Sequence, residues 1–145
     1  MKILLVRDFV DTSFGRQAKL LERGLKELGH EVTPMEKNSA RKENIPKGYD
    51  AYIYYTIYNT QLFWRGIPKY GRNIVFEVAD TDAVSHTVLY FFRSQPVDDI
   101  VVPSKWSRDA FFTLGMKIPQ PIHIIPHALN PDMFSYPPKD LPHPC

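Results

Sequence analysis

With 145 residues and a hydrophobic content of 43%, the chain is long enough to form one domain with a sizeable core. Its net charge of +2 gives no electrostatic reason to expect binding to nucleic acid or to an anionic membrane surface. The single cysteine, Cys145, excludes an internal disulfide, and no apolar run is long enough for a transmembrane segment, so we expect a cytoplasmic protein.

The first part of the chain predicts two strands separated by a helix. Ile3 to Val6 is a continuous apolar run, which is typical of a strand that is buried on both faces. A polar loop from Asp8 to Gly15 follows, and apolar residues then recur at helical spacing until Gly29, which is placed to end the helix. His30 to Met35 predicts the second strand.

The rest of the chain continues this alternation. Further strands are predicted at Tyr49 to Thr56, Asn73 to Ala79, Asp99 to Pro103 and Ile122 to Pro126, with helices at Asn59 to Tyr70, at Val84 to Arg93 and after Ser104. Strands that alternate with helices indicate a parallel sheet, because parallel neighbours need a crossover connection. The predicted fold class is therefore α/β: a Rossmann-like, doubly wound, mainly parallel six-strand sheet with helices on both faces.

Prolines are concentrated near the end of the chain, where eight of the 13 lie within the last 27 residues. Proline fixes φ and offers no backbone donor, so this part of the chain is poorly suited to regular structure. We expect residues 1–134 to form the folded domain and residues 135–145 to be a proline-rich tail or interdomain linker.

Polar side chains are predicted to meet at one edge of the sheet. Ligands bind outside the carboxyl ends of the strands in open α/β sheets, and here the loops at that edge are rich in Asp, Asn, Ser and His. Turn geometry alone also favours such residues, so the evidence for a site is that five such loops share one edge. The sequence has neither G-x-G-x-x-G nor a P-loop pattern, and its histidines lack metal-ligand spacing.

Two segments resemble one known family. The string VVPSKWSRDAFFTLG (101–115), followed by IHIIPHALNPDMF (122–134), is similar to the end of the N-terminal domain of retaining group 1 glycosyltransferases of the GT-B fold. Residues 1–32, with the strand, loop, long helix and GHEV sequence, resemble the opening of the same domain. Between residues 33 and 71 the pattern is only compatible with it.

The resemblance implies the N-terminal, acceptor-side half of a hexosyltransferase. Such a half forms one wall of a cleft in which a sugar passes from a nucleotide-sugar donor to a carbohydrate or lipid-linked acceptor. The family holds the donor mainly through a C-terminal domain, so the chain is expected to be inactive without a second domain or subunit, or a homodimer partner. No cofactor is implied beyond the donor substrate, and family members often work at the inner membrane face.

The resemblance also directs attention to the string FEVADTDAVSH, near which many family members have a His that contacts the transferred sugar. Glu77, Asp80 or Asp82 occupies this region here. A carboxylate can bind sugar hydroxyls or act as a general base, so we predict Asp80 and Asp82 as catalytic residues. The structural alternative is that one of them caps the following helix.

Substrate-binding residues are predicted from the same edge of the sheet and from the family resemblance. They are Asp8, Phe14, Gly15, Asn59, Ser104, Lys105, His127 and Asn130. Exposed aromatic residues can also stack on sugar rings, and the candidates are Trp64 and the tyrosines at 52, 54, 55 and 58. Alternation along a strand is expected to bury about half of these tyrosines.

Three other classes of function remain compatible with the sequence. They are a non-catalytic ligand-binding or regulatory module, a flavodoxin-like enzyme with a small ligand, and a protein–protein assembly unit. A flavodoxin-like enzyme predicts tight flavin or nucleotide binding by the isolated chain. An assembly unit predicts an exposed apolar patch, which a half-enzyme would share.

Overall fold

The computed structural model of the protein describes residues 1–58, 60–79 and 81–128. The strands in these ranges are β1 (Lys2–Arg7), β2 (Glu31–Glu36), β3 (Ala51–Tyr55), β4 (Arg72–Phe76), β5 (Asp99–Val102) and β6 (Ile122–Ile124). The helices are α1 (Ser13–Glu27), α2 (Gln61–Arg65), α3 (His86–Ser94) and α4 (Lys105–Ala110). Residues 129–145, including the predicted domain boundary and tail, lie outside the described residues.

The six strands form one sheet in the order β2-β1-β3-β4-β5-β6, and every neighbouring pair is parallel. The chain winds outward from β1 to β2 and then crosses back to β3 on the other side of β1. The point at which the winding reverses therefore lies between β1 and β3, where ligands commonly bind in doubly wound sheets.

Both faces of the sheet are covered, because successive side chains of a strand point to opposite faces. Ile3 and Leu5 of β1 pack with Ala18 of α1 on one face. On the opposite face, Leu4 and its neighbours belong to a larger cluster that includes buried residues of α2, α3 and α4, such as Leu89. This arrangement confirms the predicted Rossmann-like α/β fold.

The helices of the described ranges begin in the same way. Each is preceded by a Ser or Thr whose hydroxyl accepts a hydrogen bond from the backbone N–H three residues later: Thr12, Thr60, Ser85 and Ser104. Such a cap contributes about 1 kcal/mol to stability. Ser104 was predicted in this role. The capping alternative for Asp82 is wrong, because Ser85 adjoins α3 and caps it instead.

Several predicted elements have shorter bounds in the structure. The helix predicted from Asn59 to Tyr70 is limited to α2, because Gly66 follows it with a φ of 83°, outside the helical region. The third strand is limited to Ala51–Tyr55, and all five of its residues are buried between β1 and β4. None of the helices in the described ranges is long and apolar enough to cross a membrane.

Candidate functional site

The carboxyl edge of the sheet carries the predicted site residues that the structure describes. Asp8 follows β1, Asp82 follows β4, Ser104 and Lys105 follow β5, and His127 follows β6. Phe14 and Gly15 lie in the first turn of α1, which starts at the same edge. The other three predicted residues, Asn59, Asp80 and Asn130, lie outside the described residues, so their roles stay predictions.

Asp8 takes part in an ion pair that joins the ends of two strands. Its carboxylate accepts hydrogen bonds from the Lys37 ammonium at 2.5 Å and from the Phe9 backbone N–H at 2.8 Å. Lys37 directly follows β2, the neighbour of β1. The Asp8 carboxylate is therefore already paired with Lys37, and its role in substrate binding stays a prediction.

Gly15 is required by the packing of its own loop. Its backbone N–H donates to the Thr12 hydroxyl at 2.9 Å, and a Cβ atom at this position would lie 1.6 Å from the Phe9 carbonyl oxygen. Phe14 is partly buried against the apolar cluster under α1. The structure thus gives both residues a structural role, while the predicted contact of the pair with a substrate stays a prediction.

A pocket with a volume of about 240 Å³ opens at the carboxyl ends of β3 and β4. Its described lining consists of Tyr58, Glu77, Val78, Ala79, Thr81, Ala83, Val84, Ser85 and Val88. The two residues that bear most on its chemistry are Tyr58, which is 46% exposed, and Glu77, which is only 8% exposed. The pocket therefore combines an aromatic face with a largely buried carboxylate.

Glu77 connects the two strand ends that form this pocket. One of its carboxylate oxygens accepts the Tyr58 backbone N–H at 3.4 Å, and the other accepts the Val78 backbone N–H at 3.3 Å. Tyr58 and Glu77 are 19 residues apart in sequence but lie on adjacent strand ends because β3 pairs with β4. The carboxylate thereby fixes the loop that presents the Tyr58 ring.

The loop from 81 to 85 also lines the pocket and is held by hydrogen bonds. The Thr81 hydroxyl donates to the Ala83 carbonyl at 2.7 Å, and the Thr113 hydroxyl donates to the Asp82 carbonyl at 2.8 Å. The Asp82 side chain itself is exposed. Its backbone thus anchors the loop to the segment after α4, and its catalytic role stays a prediction.

The remaining described candidates lie outside the described lining of this pocket. Ser104 caps α4 and also donates to the Ser107 hydroxyl at 3.3 Å, while Lys105 forms an exposed ion pair with Asp109 at 3.6 Å. His127 is exposed beyond the end of β6. The structure brings these residues to the carboxyl edge but not to the pocket.

The aromatic candidates divide clearly by exposure. Tyr52, Tyr54 and Tyr55 are each at most 4% exposed, because β3 is covered on both faces. Tyr58 and Trp64, at 46% and 70%, are the two candidates whose rings reach solvent. Both rings pack edge-on against Phe63, at centroid distances of 5.4 and 5.0 Å respectively. Of these two, Tyr58 lines the pocket.

The sequence alone did not single out Tyr58 and Glu77 as a pair. Each had been considered separately, Tyr58 among the aromatic residues and Glu77 among the acidic residues after the fourth strand. The available signal was that both follow strands predicted to be neighbours in a parallel sheet. That signal predicts that both residues lie at the carboxyl edge of the sheet, but it does not predict the distance between them. Only the structure shows that the two residues line one pocket.

A charged cluster occupies the opposite, amino end of the sheet. The Arg72 guanidinium donates two hydrogen bonds to the Asp99 carboxylate, at 2.6 and 3.1 Å, and His123 Nε2 lies 2.9 Å from Asp99 Oδ1. The hydrogen bonds from Arg72 and, to a lesser extent, that from His123 lower the pKa of Asp99 below its ordinary value. This cluster ties β4, β5 and β6 together away from the pocket.

Among the described residues, no group of three or more acidic, His or Cys side chains is arranged to hold a metal ion.

Comparison with known proteins gives one informative relative. The whole chain is 74% identical, over 145 residues, to a protein named "Putative glycosyltransferase 45" from Sulfolobus islandicus filamentous virus (isolate Iceland/Hveragerdi). The chain spans 41% of that relative's length. No family model matches the sequence, and no solved structure matches it either. The identity supports a glycosyltransferase-like domain.

Proposed function

We propose that this chain is a glycosyltransferase domain of the GT-B type that forms the acceptor-side wall of a sugar-transfer cleft. In this proposal a second domain or subunit holds the nucleotide-sugar donor, and the sugar passes to a carbohydrate or lipid-linked acceptor. The chain by itself is therefore inactive. The observation that carries the proposal is the 74% identity along the entire chain to a protein named as a glycosyltransferase.

The geometry of the sheet supports the same function. All strands run parallel, so the loops that carry Asp8, Tyr58, Glu77 and Ser104 lie at one edge, where open α/β sheets bind ligands. The pocket at that edge offers an aromatic ring and a carboxylate, which are the groups that bind the face and the hydroxyls of a sugar.

The size of the pocket supports a cleft in which this chain and a second domain or subunit each contact part of the substrates. Pockets for drug-sized ligands usually have volumes of about 300 to 1,000 Å³. At about 240 Å³, this pocket is small for a complete nucleotide sugar but suited to a single ring. The remaining contacts would come from the opposite wall of the cleft.

A chimera tests this proposal directly. In the chimera, this chain replaces the matching 145 residues of the viral relative. Release of the nucleoside diphosphate and transfer of the sugar are then measured with UDP-glucose, UDP-N-acetylglucosamine and GDP-mannose as donors. Extracted host lipids and glycans would serve as acceptors. We expect the relative and the chimera to transfer the same sugar, and the isolated chain to transfer none.

Two results would contradict the proposal. One is a folded chimera that transfers no sugar although the relative does. The other is a relative that binds these donors neither alone nor with the acceptors present, because the name that carries the proposal would then lack support. Tight binding of flavin mononucleotide by the isolated chain, measured by absorbance and thermal shift, would instead favour a flavodoxin-like enzyme.

A further inference from the structure

We propose that an open cavity on one face of β4, β5 and β6 is the docking surface for an amphipathic helix of the second domain or subunit. The cavity has a volume of about 450 Å³, and its lining includes Ile74, Val101 and Ile125. The inference rests on the proposed function and adds to it a surface that holds the second domain. This surface starts at the amino edge of the sheet and lies away from the pocket at the carboxyl edge.

Helices cover the two faces of the sheet unequally. Buried residues of α2, α3 and α4 all belong to the large cluster on one face. On the other face, α1 packs on β1, β2 and β3, and the cluster beneath it extends only to Ile74 and Phe76 of β4, which are partly buried. No described residue of β5 or β6 belongs to the α1 cluster. Half of the α1 face is therefore left without a described helix.

The side chains of this uncovered half line the cavity. Alternation along the strands places them on the same face as α1, and they are Arg72, Ile74, Asp99, Val101, His123 and Ile125. Val101 is only 4% exposed, whereas Ile125 is 49% exposed. Parallel sheets are normally covered on both faces, so an exposed apolar side chain here indicates a missing layer.

The dimensions of the uncovered half match one helix. Neighbouring strands lie about 4.8 Å apart, so the strip from β4 to β6 is roughly 10 Å wide. An α-helix with its side chains has a diameter of about 10 to 12 Å. One helix beside α1 is therefore wide enough to cover all three strands, with its apolar side chains on Ile74, Val101 and Ile125.

The polar groups of the lining favour an apolar contact over a small polar ligand. Asp99 is already bound by Arg72 and by His123, and the Asp50 carboxylate accepts the Lys2 backbone N–H at 2.7 Å. Sites for small ligands use a few polar groups that converge on the ligand and fix its orientation. Here the polar groups bind other parts of the chain, so the surface that is left for a partner is mainly apolar.

The length of the viral relative indicates where such a helix comes from. This chain spans 41% of the relative, so more than half of that protein lies outside the match. Residues 129–145 of this chain are a poorer source, because they contain five prolines and proline is unfavourable inside a helix. We therefore assign the helix to the second domain or subunit.

A second copy of this chain is also a poorer match for the cavity. The helix that a copy could offer from its own α1 face is α1, whose outer surface is charged, with Lys19, Glu22, Arg23, Lys26 and Glu27. Burying these charges against Val101 and Ile125 would cost free energy that apolar side chains do not cost.

Cysteine labelling of the isolated chain and of the chimera tests the inference. In both proteins Cys145→Ser removes the native thiol of this chain, and either Ile125→Cys or Ile124→Cys introduces a new one. Ile124 is the matched control: it is 40% exposed against 49% for Ile125, but successive side chains of a strand point to opposite faces. Reaction with a maleimide is followed for each peptide by mass spectrometry.

We expect Ile125→Cys to react roughly tenfold or more slowly in the chimera than in the isolated chain, because a covered thiol reacts only after local opening. Ile124→Cys should react at the same rate in both proteins. The protection should be independent of protein concentration, since the helix and the cavity belong to one polypeptide in the chimera. Hydroxyl-radical footprinting of Ile125 in the unsubstituted proteins gives the same comparison without a variant.

The inference is overturned if position 125 reacts equally fast in the isolated chain and in the chimera, or if positions 124 and 125 are protected alike. Protection of position 125 in the isolated chain also overturns it. If that protection grows with protein concentration, a second copy covers the cavity, and if deletion of residues 129–145 removes it, the chain covers its own cavity. Failure here is distinct from failure of the proposed function, because sugar transfer by the unsubstituted chimera is measured separately from labelling.

Discussion

At the scale of single residues, the loop between β1 and α1 shows how one glycine fixes local geometry. The Thr12 hydroxyl donates to the Phe9 carbonyl at 2.9 Å and accepts the Gly15 N–H at the same distance. The first turn of α1 therefore rests directly on the loop backbone. Any side chain at Gly15 would overlap the Phe9 carbonyl.

This packing makes a prediction for two glycines of the same helix. We expect Gly15→Ala to reduce the free energy of unfolding by about 3 kcal/mol, because the new Cβ must displace backbone atoms. Gly24→Ala, with nothing within 4 Å of the new Cβ, should increase it by about 0.5 to 1 kcal/mol through helix propensity. Urea unfolding of both variants measures the difference. Equal unfolding midpoints for the two variants would show that the loop packing is described wrongly.

At the scale of elements, β3 shows both what the sequence predicts and where the prediction ends. Its aromatic and β-branched residues predicted a strand correctly, and alternation predicted that about half of its tyrosines would be buried. All three are buried instead, because β3 lies between β1 and β4 with helices on both faces. Strand order, which the sequence does not encode locally, decides how many faces of a strand are covered.

Burial of these tyrosines predicts a loss of stability at alkaline pH. Burial raises the pKa of Tyr55 to about 12, and burial together with the neighbouring Tyr52 raises the pKa of Tyr54 further above its ordinary value of 10.0. The unfolded chain ionises near pH 10 while the folded chain resists ionisation. The stabilisation from Tyr54 and Tyr55 is therefore complete below pH 10 and decreases as pH rises, by up to about 1.4 kcal/mol per pH unit for each of these two residues.

Urea unfolding between pH 9 and pH 12 checks this, with tyrosinate absorbance as the second measurement. Tyr54→Phe removes one titrating group together with the hydrogen bond from Tyr54 to Asn73 at 3.3 Å. The variant should be less stable than the wild type at neutral pH and should lose less stability at alkaline pH. An unchanged alkaline slope would show that Tyr54 ionises in the folded state.

The other elements show the same division between local and long-range information. Ser104 was predicted as a helix cap from its place after a strand, and it caps α4. The Asp8–Lys37 pair joins residues 29 positions apart, and the Tyr58–Glu77 contact joins residues 19 apart. Neither could be predicted, since each depends on which strands become neighbours and on how each loop leaves its strand.

At the scale of the whole molecule, the two edges of the sheet differ in chemistry. The carboxyl edge carries the pocket lined by Tyr58 and Glu77 and the starts of the described helices, whereas the amino edge carries an open cavity of about 450 Å³ whose lining includes Arg72, Asp99 and His123. From the parallel topology, the sequence predicted that a ligand site lies at the carboxyl edge. The position of the pocket on that edge, near β3 and β4 and one strand from the point where the winding reverses, came from the structure.

The kinetics of the chimera with a substitution at each edge test the central claim most directly. Tyr58 follows β3 and Tyr70 precedes β4, so the two partly exposed tyrosines mark opposite edges of the same sheet. We predict that Tyr58→Ala raises the acceptor KM roughly fivefold or more, while Tyr70→Ala leaves kcat/KM for the acceptor unchanged. An equal effect of both substitutions, or a loss confined to Tyr70→Ala, would contradict the assignment of the carboxyl edge as the acceptor wall.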